Sequence, residues 1–232
     1  MSKKSGKTQL KIALTGASGR MGKEIQTLIG EAPGFLLKHV IGSAPDWKKI
    51  KPIDVDVVID FSSPEGLQHA LRWCVAEGKA LVSGTTGVSV TDYSKLIKAG
   101  DKIPVLHSAN MSLGVAVMGA MLKSFAPVRD WDFQIEEAHH SLKKDKPSGT
   151  ALLLQDQLTK VAGRPLPAPN SIRGGGTPGI HTIWAMGPDE AILLQHTAFN
   201  RKVFARGALQ AARWLFDKKD PGLYDLTDLY NS

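Results

Sequence analysis

A glycine-rich turn set directly between a short strand and a helix constrains this chain more than any other feature. Residues 10–14 form a mainly apolar stretch that runs straight into Gly16-Ala17-Ser18-Gly19-Arg20-Met21-Gly22, and residues 24–29 continue at helical spacing. Gly16, Gly19 and Gly22 stand three apart, a variant of the fingerprint with which the first turn of a βαβ unit holds a pyrophosphate. Glycine lets the backbone approach the phosphates, and the first N–H groups and dipole of the helix favour the anion. An ordinary glycine turn would use the same residues, so the surroundings decide. Further strands are expected at 35–41, 55–61, 80–83 and 104–108, with helices at 64–77 and 89–99. This alternation predicts an α/β, Rossmann-like, doubly wound parallel sheet.

The rhythm changes after Asn110. Residues 115–125 read as an apolar helix, 131–138 as a strand and 150–161 as a helix; 163–179 is a proline- and glycine-rich loop whose composition permits irregular backbone and mobility. Two strand-like runs, 181–185 and 191–196, flank Gly187-Pro188-Asp189 and predict a hairpin in a second, α+β domain. Ala208, Ala211, Ala212 and Leu215 recur at helical spacing, which suits a closing helix that returns to the first domain. The expected division is a dinucleotide-binding domain over 1–112, opened by a flexible tail at 1–9, then a substrate-binding and oligomerisation domain over 113–201. A C-terminal segment, 202–232, returns to the first.

Composition excludes several classes. With 232 residues, 42% of them hydrophobic, the chain can bury the core of one or two domains. Cys74 is the only cysteine, so no internal disulfide forms; no apolar stretch nears the roughly 20 residues of a membrane span. The opening residues are basic and lack a secretory signal, so a cytoplasmic location is expected. Net charge is +7, but Lys3, Lys4, Lys7 and Lys11 lie in the acid-free opening segment. A basic surface attracts nucleic acid and small anions alike. No helix-turn-helix or zinc-finger pattern is present, so no nucleic-acid partner is expected. A short-chain dehydrogenase is excluded because none of Tyr93, Tyr224 and Tyr230 has a lysine four residues later.

The fingerprint normally continues to an acid about 20 residues on, which holds the ribose hydroxyls. That place falls near Gly42-Ser43, with Lys48 and Lys49 beyond. Without a carboxylate to repel a ribose phosphate, NADPH is tolerated or preferred over NADH; equally, so short a loop could read neither strongly. Ser62-Ser63 and Gly84-Thr85-Thr86-Gly87 fall at strand ends, where an open parallel sheet places its ligand crevice.

The densest chemistry runs from Glu136-Glu137-Ala138-His139-His140 through Lys143 to Pro147-Ser148-Gly149-Thr150. Its histidines and lysines supply proton-transfer groups and cations for carboxylates. Ser148-Gly149-Thr150 opens a helix whose N–H groups can hold an anion. No metal is expected, since neighbouring histidines diverge on a strand and lack a companion ligand.

Together these segments resemble the dihydrodipicolinate reductase (4-hydroxy-tetrahydrodipicolinate reductase) family over about residues 11–229. The likeness rests on Glu137-Ala138-His139-His140, Lys143 and Pro147-Ser148-Gly149-Thr150-Ala151, supported by Gly84-Thr85-Thr86-Gly87, Ala109-Asn110-Met111-Ser112 and His196-Thr197-Ala198. The resemblance implies reduction of a cyclic dicarboxylate imine with NADPH or NADH, in the diaminopimelate route to lysine, by a homotetramer. It implies that Gly16, Ala17, Ser18, Gly19, Arg20, Met21, Gly84, Thr85, Thr86, Ser108, Ala109, Asn110 and Met111 hold the cofactor, with Arg201 and Phe204 reaching it from the second domain. It makes His139 the proton donor or acceptor and Lys143 the proton donor; His140, Ser148, Gly149 and Thr150 meet the substrate carboxylates. The sequence departs from the family in lacking the ribose acid, in having Met111 where an aromatic residue is usual, and in an abbreviated stretch between Arg173 and His196. A trimmed second sheet is the consequence expected of that last difference.

Overall fold

The computed structural model describes residues 9–42 and 47–230. Most of the expected tail and Ser43, at the ribose position, lie outside that range. In chain order the elements are β1 (Leu10–Thr15), α1 (Arg20–Glu31), β2 (Phe35–Ile41), β3 (Val57–Asp60), α2 (Pro64–Glu77), β4 (Ala80–Ser83), α3 (Val90–Gly100) and β5 (Pro104–His107). There follow α4 (Leu113–Met121), β6 (Asp132–His139), α5 (Gly149–Ala162), β7 (Asn170–Arg173), β8 (Gly179–Met186), β9 (Ala191–Ala198), α6 (Lys202–Lys218) and β10 (Gly222–Tyr224). They fall into two compact units, Met1–Met111 with Phe204–Ser232, and Ser112–Val203.

The first unit is a six-stranded parallel sheet in the order β10-β5-β4-β3-β1-β2. Every residue of β3 and β4 is buried, as a sheet covered on both faces demands. Two serines start the covering helices. The Ser63 hydroxyl accepts the Gly66 N–H at 3.1 Å ahead of Pro64, and the Ser89 hydroxyl accepts the Asp92 N–H at 3.1 Å. Leu67, Leu71 and Leu96 then close over Val58, Leu81 and Val105. Strand β10, at the sheet edge, is an addition to the sequence expectation: three residues are too few to show a period.

The second unit is a four-stranded sheet in the order β7-β6-β8-β9. Alternation along β6 buries Phe133 and Ile135 with Leu154 and Leu158 of α5. Strands β8 and β9 form the expected antiparallel hairpin. Two expectations need correction. The region 163–179 is not wholly irregular, because Asn170–Arg173 pairs in parallel with β6. The apolar helix is α-helical only to Met121 and then tightens into a 3-10 stretch, Leu122–Val128, where Pro127 lacks the N–H that continuation requires.

Candidate active site

In the first unit, β1 lies between β2 and β3. The turns leaving β1 and β3 therefore diverge and open a crevice at the carboxyl ends of the strands. A cavity of about 370 Å³ lies there, lined by Gly16, Ser18, Ile41, Trp47, Phe61 and Ser62 among others. Gly16 has φ +70°, and a Cβ on it would strike the Phe61 carbonyl; one on Gly22 would strike the Gly16 carbonyl. The turn is thus as tight as a side-chain-free backbone allows. Gly19 caps α1 without a side-chain acceptor and the first turn holds no acid, which leaves the helix start suited to an anion. These residues fit a dinucleotide.

Of the expected cofactor residues, Ser18, Gly19, Arg20, Thr86 and Ala109 are exposed, whereas Ala17 and Met111 are buried. The Ser108 hydroxyl donates to the Asn110 carbonyl at 2.7 Å and so shapes the turn after β5. The Thr85 side chain faces inward. Its hydroxyl donates at 2.7 Å to Asp60, which also accepts the hydroxyls of Thr15 (2.5 Å), Ser62 (2.5 Å) and Ser83 (2.9 Å). Asp60, fully buried at the end of β3, thereby ties together the turns around the crevice. Arg201 lies in the second unit, but Phe204 belongs to the first because α6 joins that unit from there on. A larger groove of about 660 Å³ lies between α2 and α3, away from these strand ends.

Strand register assembles the site of the second unit. Glu137 stands opposite His181, His181 opposite His196, and His139 beside Arg173. Period-2 alternation puts Glu137 and His139 on the same face of β6. The carboxylate can only accept, so His139 Nδ1 donates to Glu137 Oε2, at 2.5 Å. That leaves Nε2 as the exchangeable nitrogen. Arg173 grips both carboxylate oxygens, at 2.7 and 2.6 Å, and the Ser148 N–H donates to Oε1 at 3.2 Å.

Burial alone would raise the Glu137 carboxyl, but Arg173 and His139 reverse this and hold it at about 2. For His139, burial outweighs the attraction of Glu137 and lowers its pKa, so the ring is mainly neutral near pH 7. His181, packed edge-on against His139 at 5.2 Å, is pushed down to about 3 by burial and by neighbouring histidines. Lys143 pairs with Asp145 at 2.9 Å in the loop after β6. His140 is half-buried, Gly149 exposed and Thr150 half-buried at the start of α5. Ser148 is almost wholly buried: its hydroxyl caps α5 at the Ala151 N–H (3.2 Å) and meets His181 Nε2 at 3.2 Å. No group of three or more His, Cys, Asp or Glu among the described residues is placed to hold a metal.

Residues 10–111 match the family described as dihydrodipicolinate reductase, N-terminus, and residues 114–230 match dihydrodipicolinate reductase, C-terminus. The chain belongs to the dihydrodipicolinate reductase family. It is 47% identical over 221 residues to the 4-hydroxy-tetrahydrodipicolinate reductase of Bdellovibrio bacteriovorus, covering 95% of this chain and 96% of that one. The Stenotrophomonas maltophilia protein of the same name is 41% identical over 237 residues, covering 96% and 98%. Among solved structures, dipicolinate-bound dihydrodipicolinate reductase from Paenisporosarcina sp. TG-14 superposes with a TM-score of 0.77 at 20% identity, covering 95% of this chain and 99% of that one. Nearly the whole of each relative is covered. The chain's activity is the NAD(P)H-dependent reduction of 4-hydroxy-tetrahydrodipicolinate to tetrahydrodipicolinate on the diaminopimelate route to lysine. No helix among its described residues is long and apolar enough to cross a membrane.

Proposed function

We propose that this chain performs the family's reduction with the first unit holding the cofactor and the second handling the protons. The observation that carries this is His139, whose Nδ1 is committed to Glu137 and whose ring is kept mainly neutral by burial. Gly16 to Met21, Gly84 to Thr86 and Ser108 to Met111 would hold NAD(P)H, with Arg201 and Phe204, and the bound cofactor supplies a hydride. Loss of water from the substrate takes a proton from a ring carbon and delivers one to the leaving hydroxyl. Reduction of the conjugated imine then requires a proton on the enamine carbon. A neutral His139 with a bare Nε2 is the acceptor, and the Lys143 ammonium is the donor. His140 with Gly149 and Thr150 at the α5 start meets the substrate carboxylates, the helix supplying N–H donors and His140 a ring nitrogen. The buried Ser148 side chain serves as the helix cap.

The cofactor preference rests on the end of β2 and Gly42, which carry no acid among the described residues, and on the exposed Lys48 and Lys49. NADPH should be used at least as well as NADH. A homotetramer in the cytoplasm completes the reading: β9, at the edge of the second sheet, leaves Ile192 and Leu193 exposed.

The test is NAD(P)H oxidation that depends on freshly synthesised substrate. His139→Ala and Lys143→Ala should each lower kcat by roughly 10²–10⁴-fold, with cofactor Kd unchanged. Near-normal turnover in both variants overturns the roles, and a kcat/KM that strongly favours NADH overturns the preference.

A further inference from the structure

One side chain outside the expected site reaches both halves of the proton-handling machinery. Arg173 comes from β7, in the stretch whose composition reads as loop. Its Nη1 and Nη2 donate to Glu137 Oε2 and Oε1 at 2.7 and 2.6 Å, a two-point grip on the carboxylate that receives His139 Nδ1. Its Nε donates to the Lys143 carbonyl at 3.3 Å, and Nη2 donates also to the Asp145 carbonyl at 2.6 Å. The Arg173 side chain is 7% exposed and that of Glu137 0%, so the two-point grip on the carboxylate is shielded from water.

The geometry points to Arg173 as the positioning residue of this site: one guanidinium, through Glu137 and through the backbone that carries Lys143, fixes the acceptor and the donor in a single arrangement. This rests on the roles proposed for His139 and Lys143.

Two observations separate this from a generic buried ion pair. The backbone from Ser141 to Pro147 belongs to no helix or strand, so the carbonyls of Lys143 and Asp145 have no regular ladder to hold them. The residues after β7 hold the entry to this loop, with Gly174 N–H donating to the His139 carbonyl at 3.0 Å, His140 N–H to the Thr177 carbonyl at 2.8 Å and Ser141 N–H to the Gly175 carbonyl at 3.4 Å. Chemistry also selects arginine. Its planar fork offers five donors in fixed directions, whereas a lysine at this position has one nitrogen and cannot span both carboxylate oxygens and two carbonyls.

The groups facing His139 are Glu137 on its own strand, Arg173 on β7, His181 on β8 and Lys143 on the following loop; His196 on β9 stands behind His181. Glu137 raises the His139 pKa, while Arg173 and Lys143 lower it. Removing the guanidinium charge therefore moves the His139 titration upward, and removing the carboxylate moves it downward.

The experiment measures kcat, KM, cofactor Kd and the pH dependence of kcat for Arg173→Lys, Arg173→Met and Glu137→Gln in the full chain, beside His139→Ala and Lys143→Ala. Arg173→Lys keeps the charge but not the fork. It should fold, bind NADPH with unchanged Kd and lose roughly tenfold to a hundredfold in kcat, as misplaced catalytic groups do, with the acid limb of the profile in place. In Arg173→Met that limb should move to higher pH, and in Glu137→Gln to lower pH. Wild-type kcat in a folded Arg173→Lys, while His139→Ala and Lys143→Ala are slow, overturns the inference and leaves the proposed roles standing. Near-normal turnover in the His139 and Lys143 variants overturns the roles themselves. A loss confined to Tm, with kcat and both limbs unmoved, makes Arg173 structural only and also overturns it.

Discussion

Glu137 ties acid stability to the site through one buried carboxyl. Its folded pKa of about 2 lies below the 4.5 of an unconstrained glutamate. The folded state thus prefers the ionised form, and the associated stability is fully present above 4.5 and lost as pH falls toward 2. Glu137→Gln should lower Tm most above about pH 5, with the gap to wild type closing as the solution is acidified. Melting curves at a series of pH values check this, and a pH-independent gap would show that the carboxylate's charge is not what stabilises. Glu137 was legible in principle, since a residue two before His139 on a strand must share its face. Asp60 was not: its hydroxyl partners Thr15, Ser83 and Thr85 are separated from it by 45, 23 and 25 residues, and only the closed sheet brings them together. Arg173 was hidden for a related reason. A short, polar edge strand among glycines and prolines carries no periodic signal.

At the scale of elements, the strands and helices of the first unit were readable because each is a compact apolar run with its own punctuation. Ser63-Pro64 and Ser89 mark helix starts that the structure keeps. Strands β7 and β10 were missed because three or four residues hold too few alternations, and their pairing partners are remote in sequence. Helix α5 shows how an element can serve the site without touching a ligand through its capping side chain. The Ser148 hydroxyl caps the helix, while the Ser148 backbone N–H, which no substitution short of proline removes, donates to Glu137. Ser148→Ala should therefore cost about 1 kcal/mol in stability, up to about 2, and lower Tm while leaving the KM for substrate within about threefold of wild type. A KM raised tenfold or more with Tm intact would instead place the hydroxyl on the substrate.

At the scale of the whole molecule, the second sheet ends in β9, on whose outer edge no strand pairs among the described residues. Along β9, Leu194 turns to the core shared with α5, while its neighbour Leu193, 50% exposed, lies across from Trp184 on the other face. An apolar edge of this kind invites another chain unless something covers it, and symmetric assemblies of identical chains cover such faces most simply. A second copy is the occupant that the family resemblance implies. The chain should then sediment at four times its own mass, and its Tm should rise with protein concentration, because association stabilises only the folded state. Leu193→Glu puts a charge on that open face without touching the core of the unit. It should shift sedimentation toward smaller species and abolish the concentration dependence of Tm, while the far-ultraviolet circular dichroism of the folded chain is kept. A wild-type chain that sediments as a monomer at all concentrations would remove the tetramer from this reading and leave the chemistry of the two units unchanged.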